Sequence, residues 1–158
     1  MATEEKKDLA LIDEPLSYLD KLAEIGKDSD EVEINKDFKL TINTLGSEDE
    51  NKVFVFAAGF EGSEYFSKHK RETLVYSISA INGKSLREYE KIQDIETYKK
   101  VKEESIAKIR RTIDKWNDDI INFIYAKYHV LVAKNEKKLE EMKIVEPMPV
   151  VTEKEEKK

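Results

Sequence analysis

Apolar and polar residues alternate between Asp30 and Leu45, where the even positions Val32, Ile34, Phe38, Leu40 and Ile42 are apolar. This period of two is the pattern of a half-buried β-strand, in which successive side chains point to opposite faces. The polar residues 35–37 interrupt the alternation and include Asn and Asp, which favour tight turns. We therefore predict a β-hairpin at about residues 31–45.

The remaining apolar blocks recur at steps of three and four residues, which indicates amphipathic helices. Pro15 is expected to open a first helix that ends at Gly26. Ser47 and Glu50 match a capping box, so a second helix is expected to begin near residue 48 and to end at Gly59.

A third helix is predicted from Ser63 to Ile81. It should end at Asn82-Gly83, because these two residue types adopt the left-handed conformations that a helix C-cap or a turn requires. A short helical turn is expected next, around Tyr89, before Asp94.

The longest regular region runs from Asp94 to about Lys143 without glycine or proline, and its apolar residues lie on or beside one helix face. The segment Trp116–Asp119 contains Asn and Asp, which could end one helix and cap the next. One helix of about fifty residues and two consecutive helices both fit this pattern, and the lack of helix breakers favours a continuous or slightly kinked helix.

These patterns predict a mainly α protein with a small β-hairpin, an α+β fold, and a long C-terminal helix or helix pair. A single helical domain at 14–143 would contain the hairpin. The charged segments on either side are expected to be a flexible acidic arm at 1–13 and a disordered charged tail at 144–158.

Composition and charge narrow the classes of partner. The chain has 158 residues, no cysteine and a net charge of −6. Residues 1–60 hold 7 basic and 15 acidic side chains, a charge of −8, so the remainder carries +2. This acidic surface disfavours nucleic acid as a partner, and the absence of a long apolar run argues against a membrane span.

Few residues of the chain suggest a catalytic or metal-binding site. His69 and His129 are the only histidines, and they do not have a metal-ligand spacing. The glycines at Gly59 and Gly62 are not followed by the Lys and Ser or Thr of a phosphate-binding loop. The sequence therefore predicts no enzymatic activity, no metal and no cofactor.

The basic segment Lys108–Lys115 is flanked by carboxylates, which favours i,i+4 ion pairs over nucleic-acid binding.

The aromatic and apolar side chains exceed what one small core usually hides, which favours protein binding as the function. Apolar residues at three- and four-residue steps along the C-terminal helical region would form the partner surface, with Tyr125 and Tyr128 on its outward side. The alternative is that this seam packs on the chain's own hairpin and third helix. The candidate partner-binding residues are Ile106, Ile109, Ile113, Trp116, Ile120, Tyr125 and Tyr128.

The order of elements resembles a known family over about residues 30–130. Two short strands at Val32–Leu45, an acidic capped helix at Ser47–Glu50 and the segment Arg71–Leu86 are similar to small tail-morphogenesis proteins of bacteriophages, above all tail assembly and baseplate-hub assembly chaperones. In that family a leucine precedes the acidic helix, as Leu45 does here, and a helix ends in Ile-x-Gly-Lys, as at Ile81–Lys84. The long C-terminal helix and the acidic arm match the family poorly.

The resemblance implies a non-enzymatic factor that binds other phage tail or baseplate proteins during assembly in the host cytoplasm. It provides no catalytic residue. The excess of aromatic side chains also allows self-association into a homo-oligomer. The alternative is a permanent structural subunit of the virion, such as a baseplate, neck or tail-completion protein.

Overall fold

The computed structural model describes residues 17–19, 21–22 and 24–142, so the arm predicted at 1–13 and the tail predicted at 144–158 lie outside the described residues. The fold is mainly helical with a small antiparallel sheet, which confirms the predicted α+β class. The first helix, α1, is described at 17–19, 21–22 and 24–25. The later elements are β1 (Ser29–Glu33), β2 (Lys39–Asn43), α2 (Ser47–Ala57), α3 (Ser63–Ser77), β3 (Ile78–Ile81), β4 (Lys84–Ser85), a 3₁₀ turn (Glu88–Lys91), α4 (Ile95–Ile113) and α5 (Asp118–Glu141).

The predicted hairpin is formed by β1 and β2, which pair antiparallel with Val32 opposite Leu40. The side-chain oxygen of Asn35 accepts hydrogen bonds from the backbone N–H groups of Asp37 and Phe38, at 2.8 and 3.0 Å. The side chain of Asn35 therefore stabilises the turn, as expected for an asparagine at this position.

The sheet has four strands rather than two, in the order β1-β2-β3-β4. The prediction of a helix through Ile81 is wrong, because α3 ends at Ser77 and Ile78–Ile81 forms a strand that pairs with both β2 and β4. A short apolar run fits either a helix or a strand, and here pairing with β2 decides between them. The Ser77 hydroxyl, which is fully buried, donates to the carbonyl of Asn43 at 2.8 Å and fixes this transition.

Asn82 and Gly83 have φ values of 50° and 76°, so their predicted left-handed conformations are confirmed, in the turn of a hairpin rather than in a helix C-cap. Positive φ at both central residues is typical of the two-residue turn that matches strand twist. Asn82 also joins the two hairpins, because its side chain accepts from the N–H of Lys39 at 2.9 Å and donates to the carbonyl of Asp37 at 2.9 Å.

The predicted capping box at α2 is wrong. Gly46 is the N-cap residue and no side chain caps the helix, so Ser47 already lies inside it. Three carboxylates in the first turn instead complement the positive helix end. The helix ends at Ala57, two residues before the predicted Gly59.

The C-terminal region is a pair of helices, so the preference for one continuous helix is wrong. A break at residues 114–117 separates α4 from α5, and the side chain of Asn117 caps α5 by accepting from the N–H of Asp119 at 2.8 Å. The Asn117 cap therefore starts a second helix within a region that has neither glycine nor proline.

Arg71 of α3 holds this break in place. Its guanidinium donates to the carbonyls of Ile113 and Trp116, at 2.7 and 3.3 Å, and to the carboxylate of Asp118 at 2.6 Å. The cation thus satisfies carbonyls at the negative end of α4 and an acid at the start of α5, which couples three helices.

A buried ion pair lies beside the apolar core. Glu72 of α3 is 1% exposed, and it accepts from Nε of Arg110 at 3.0 Å and from Nη2 at 2.6 Å. The guanidinium also lies 5.0 Å from the ring centre of Phe56. Hydrogen bonding to Glu72 raises the pKa of Arg110 above its usual value.

Candidate functional site

The structure contains an open apolar groove of about 310 Å³ between the sheet and α4. Its sheet wall comes from β2, β3 and the residue after β4. These side chains are Leu40, Ile78, Ile81 and Leu86.

The helix wall comes from the last three turns of α4 and the residues after it. Ile109 and Ile113 are four residues apart on one side of α4, and Trp116, in the break after the helix, continues the lining of the groove. Ser105, Lys108 and Thr112 are the polar residues of the lining. Trp116 is partly buried, so part of a large aromatic surface remains open to a partner.

Lys108 of α4 is the cation of the groove lining. Arg111 and Lys115 are exposed and follow it in sequence, but they are not part of the lining. Among the described residues none of these three cations forms an ion pair. The prediction of i,i+4 pairing is therefore wrong for them, and Arg110 pairs with Glu72 of another helix.

The predicted partner-binding residues do not form one continuous surface. Ile109, Ile113 and Trp116 line the groove, whereas Ile106 packs on the core and faces a polar cleft beside Arg110. Ile120 lies on α5 with 40% of its surface exposed. The break between α4 and α5 divides the continuous seam that the spacing predicted.

Tyr125 and Tyr128 line a second cleft, of about 300 Å³, between α2, α3 and α5. The expectation that both face outward is wrong for Tyr128, which is 7% exposed and belongs to the core cluster, because α5 packs this side against the body of the protein. Burial raises the pKa of Tyr128 to about 12, and burial also raises the pKa of Tyr125.

Both histidines of the chain line this second cleft, although sixty residues separate them in sequence. The rings of Tyr125 and His129 meet edge to face, with 4.4 Å between their centres. In the described part of the chain, no three His, Asp or Glu side chains converge to hold a metal ion. The helices described at 17–142, with 20 and 23 omitted, include none that is long and apolar enough to cross a membrane.

The sheet wall of the groove was missed from sequence, because Ile78 and Ile81 were assigned to a helix. A signal was present at Ile81–Lys84, where Asn-Gly follows an apolar residue. Asn-Gly between apolar runs is the strongest short-range indication of a hairpin. The role of Arg71 has no comparable signal, since its contacts span more than forty residues.

Comparison of the chain with protein-family models, with characterised proteins and with solved structures found no match in any of the three. Any proposal about function therefore rests on the geometry of the groove and on the order of the elements.

Proposed function

We propose that this protein is a non-enzymatic protein-binding factor, acting as an assembly chaperone for a bacteriophage tail or baseplate. The observation that carries the binding function is the apolar groove, which has a partly buried Trp116 and an unpaired Lys108 in its lining. The setting is supported by the resemblance of residues 30–130 to tail-morphogenesis proteins. Of the features behind it, the two strands and the acidic start of α2 are present, whereas Ile81–Lys84 is a hairpin turn and not a helix end.

The groove fits an acidic amphipathic segment of another tail or baseplate protein. Its apolar walls can take up aliphatic or aromatic side chains, and Trp116 is a residue type that often dominates interface energy. Lys108 would face a carboxylate on one side of that segment, which favours association and fixes its orientation. Apolar walls offer nothing to a phosphodiester backbone, which argues against a nucleic acid in the groove.

A permanent structural subunit of the virion is the second candidate. It is favoured by large apolar side chains that are exposed away from the groove, including Phe54 at 56%, Val55 at 63% and Phe66 at 65%. A subunit fixed in a particle would bury several such faces. A fixed stoichiometry in purified particles would favour this candidate, and absence from them would favour the chaperone.

Trp116 is the only tryptophan of the chain, so it reports directly on the groove. We expect a tail or baseplate protein from the same phage to shift its fluorescence on titration. Trp116→Ala, followed by calorimetry, should weaken binding about thirtyfold, the equivalent of about 2 kcal/mol for an interface hot spot.

The charge of Lys108 can be tested separately. Lys108→Glu should weaken binding about fivefold or more, the equivalent of about 1 kcal/mol, and reduce its salt dependence. Lys99→Glu is the matched control, because Lys99 is exposed on the opposite side of α4. Equal affinity of the parent and Trp116→Ala for every tail and baseplate protein tested would contradict the proposed function.

A further inference from the structure

The chain contains one Asn-Gly pair, Asn82-Gly83, and it forms the turn between β3 and β4. An asparagine that precedes glycine is especially prone to deamidation, because glycine has no side chain to hinder attack by its own nitrogen on the asparagine amide. Both residues are exposed to solvent, which supplies the water that the reaction consumes. The pair is therefore a candidate site of covalent modification.

The nitrogen that would attack is free. Among the described residues, no acceptor is hydrogen-bonded to the N–H of Gly83. The space beside this residue is also open, since a Cβ atom placed there would have no heavy atom within 4 Å apart from its chain neighbours. Neither the loss of a hydrogen bond nor a steric contact opposes movement of this nitrogen towards Cγ of Asn82.

The side-chain amide that would be attacked is polarised by β2. The N–H of Lys39 donates to Oδ1 of Asn82 at 2.9 Å, and this is the oxygen that gains negative charge when Cγ is attacked. A donor at that position stabilises the developing charge, as in an oxyanion hole. The nitrogen Nδ2 of the same amide donates to the carbonyl of Asp37 at 2.9 Å. The group that would react is therefore also the group that joins the two hairpins.

We propose that Asn82 undergoes spontaneous deamidation, and that the product releases one hairpin from the other. The nitrogen of Gly83 forms a bond to Cγ of Asn82, the bond from Cγ to Nδ2 breaks, and Nδ2 leaves as ammonia with the proton of the Gly83 N–H. Water then opens the cyclic imide and gives aspartate or isoaspartate, with no oxidation or reduction.

The product cannot make both hydrogen bonds of Asn82. A carboxylate accepts from the N–H of Lys39, but it has no hydrogen to donate to the carbonyl of Asp37, so two oxygens face each other. Isoaspartate also adds a methylene group to the backbone of the two-residue turn. Leu40 lies opposite Ile81 beside this joint, and both line the groove, so the modification would loosen the sheet wall.

Mass spectrometry of peptides measures the modification in the full chain during incubation at mildly alkaline pH. We expect aspartate and isoaspartate to form at Asn82 at least about tenfold faster than at Asn35. Asn35 is the matched internal control, because it is also exposed, lies in a hairpin turn and accepts backbone hydrogen bonds, but precedes a lysine. A parallel sample in urea gives the rate in the unfolded chain. Equal rates at the two asparagines, or a rate at Asn82 far lower in the folded than in the unfolded chain, would overturn the proposal.

Asn82→Asp tests the structural consequence, since it reproduces one of the products. It should lower the urea concentration at the midpoint of unfolding. Asn35→Asp should leave that midpoint nearly unchanged, because Asn35 uses only its oxygen in these bonds and a carboxylate keeps that oxygen. Equal midpoints for the two variants would contradict the release of the hairpin. An effect on partner binding rests on the proposed function, whereas these measurements use the chain alone, so either can fail without the other.

Discussion

The buried pair of Glu72 and Arg110 permits a quantitative prediction. Arg110 is the only side chain that hydrogen-bonds Glu72 among the described residues, and the Glu72 side chain is 2% exposed. Arg110→Met would leave a buried carboxylate without a partner. Breaking a buried ion pair in this way typically costs about 3–5 kcal/mol. Since the Arg110 side chain is 29% exposed and partly screened by water, we expect the lower end, about 3 kcal/mol.

A double-mutant cycle separates the ion pair from its packing. Glu72→Met with Arg110→Met replaces both charges by side chains of similar length, so it should be less destabilising than Arg110→Met by at least about 1.5 kcal/mol. Urea unfolding followed by circular dichroism measures each free energy at pH 7.

Lys108→Met is the control for losing a cation from α4, and we expect it to change the stability by less than about 0.5 kcal/mol. A double variant no more stable than Arg110→Met would show that the cost comes from lost packing against Phe56. A single variant as stable as the parent would refute the reasoning altogether.

Three further predictions concern single residues. Gly83→Val should cost about 1–2 kcal/mol in chemical denaturation because of its positive φ, whereas Lys84→Ala should be nearly neutral; equal stabilities would contradict the turn. Asn117→Ala should cost about 1 kcal/mol through loss of the α5 cap, and no measurable cost would show that the cap is unimportant. The raised pKa of Tyr128, about 12, favours the neutral phenol in the folded state, so its contribution is complete below about pH 10 and is lost as the pH rises towards 12. Tyr128→Phe should reduce this alkaline loss, by up to about 3 kcal/mol, and an identical pH profile would contradict the assignment.

The parts of the fold that could be predicted from sequence are those set by local periodicity. The β1–β2 hairpin follows from the alternation and from Asn35, both visible over fifteen residues. The boundary at Ser77 could not be predicted, because Ile78 and Ile81 fit a helical stripe as well as a strand. Pairing with β2, which lies about forty residues earlier in the chain, decides their conformation.

Only one wall of the groove could be predicted from the sequence, for the same reason. Ile109, Ile113 and Trp116 were identified by their spacing along one helix, and they form one wall of the groove. The opposite wall depends on sheet order, which no local pattern specifies. The i,i+4 rule failed for Arg110 because a buried carboxylate on α3 provides a stronger partner than an exposed one on its own helix.

The two walls of the groove are fixed by polar contacts behind them. Asn82 joins the two hairpins that form the sheet wall, and Arg71 fixes the helix wall by binding the carbonyls of Ile113 and Trp116. Neither polar side chain lines the groove, so both can hold its shape without reducing its apolar character. A partner entering such a groove would spend little binding energy on ordering the backbone at Trp116, since the carbonyl of that residue is already held in the free protein. Preorganisation of this kind lets a small apolar surface bind more tightly than its area alone would suggest.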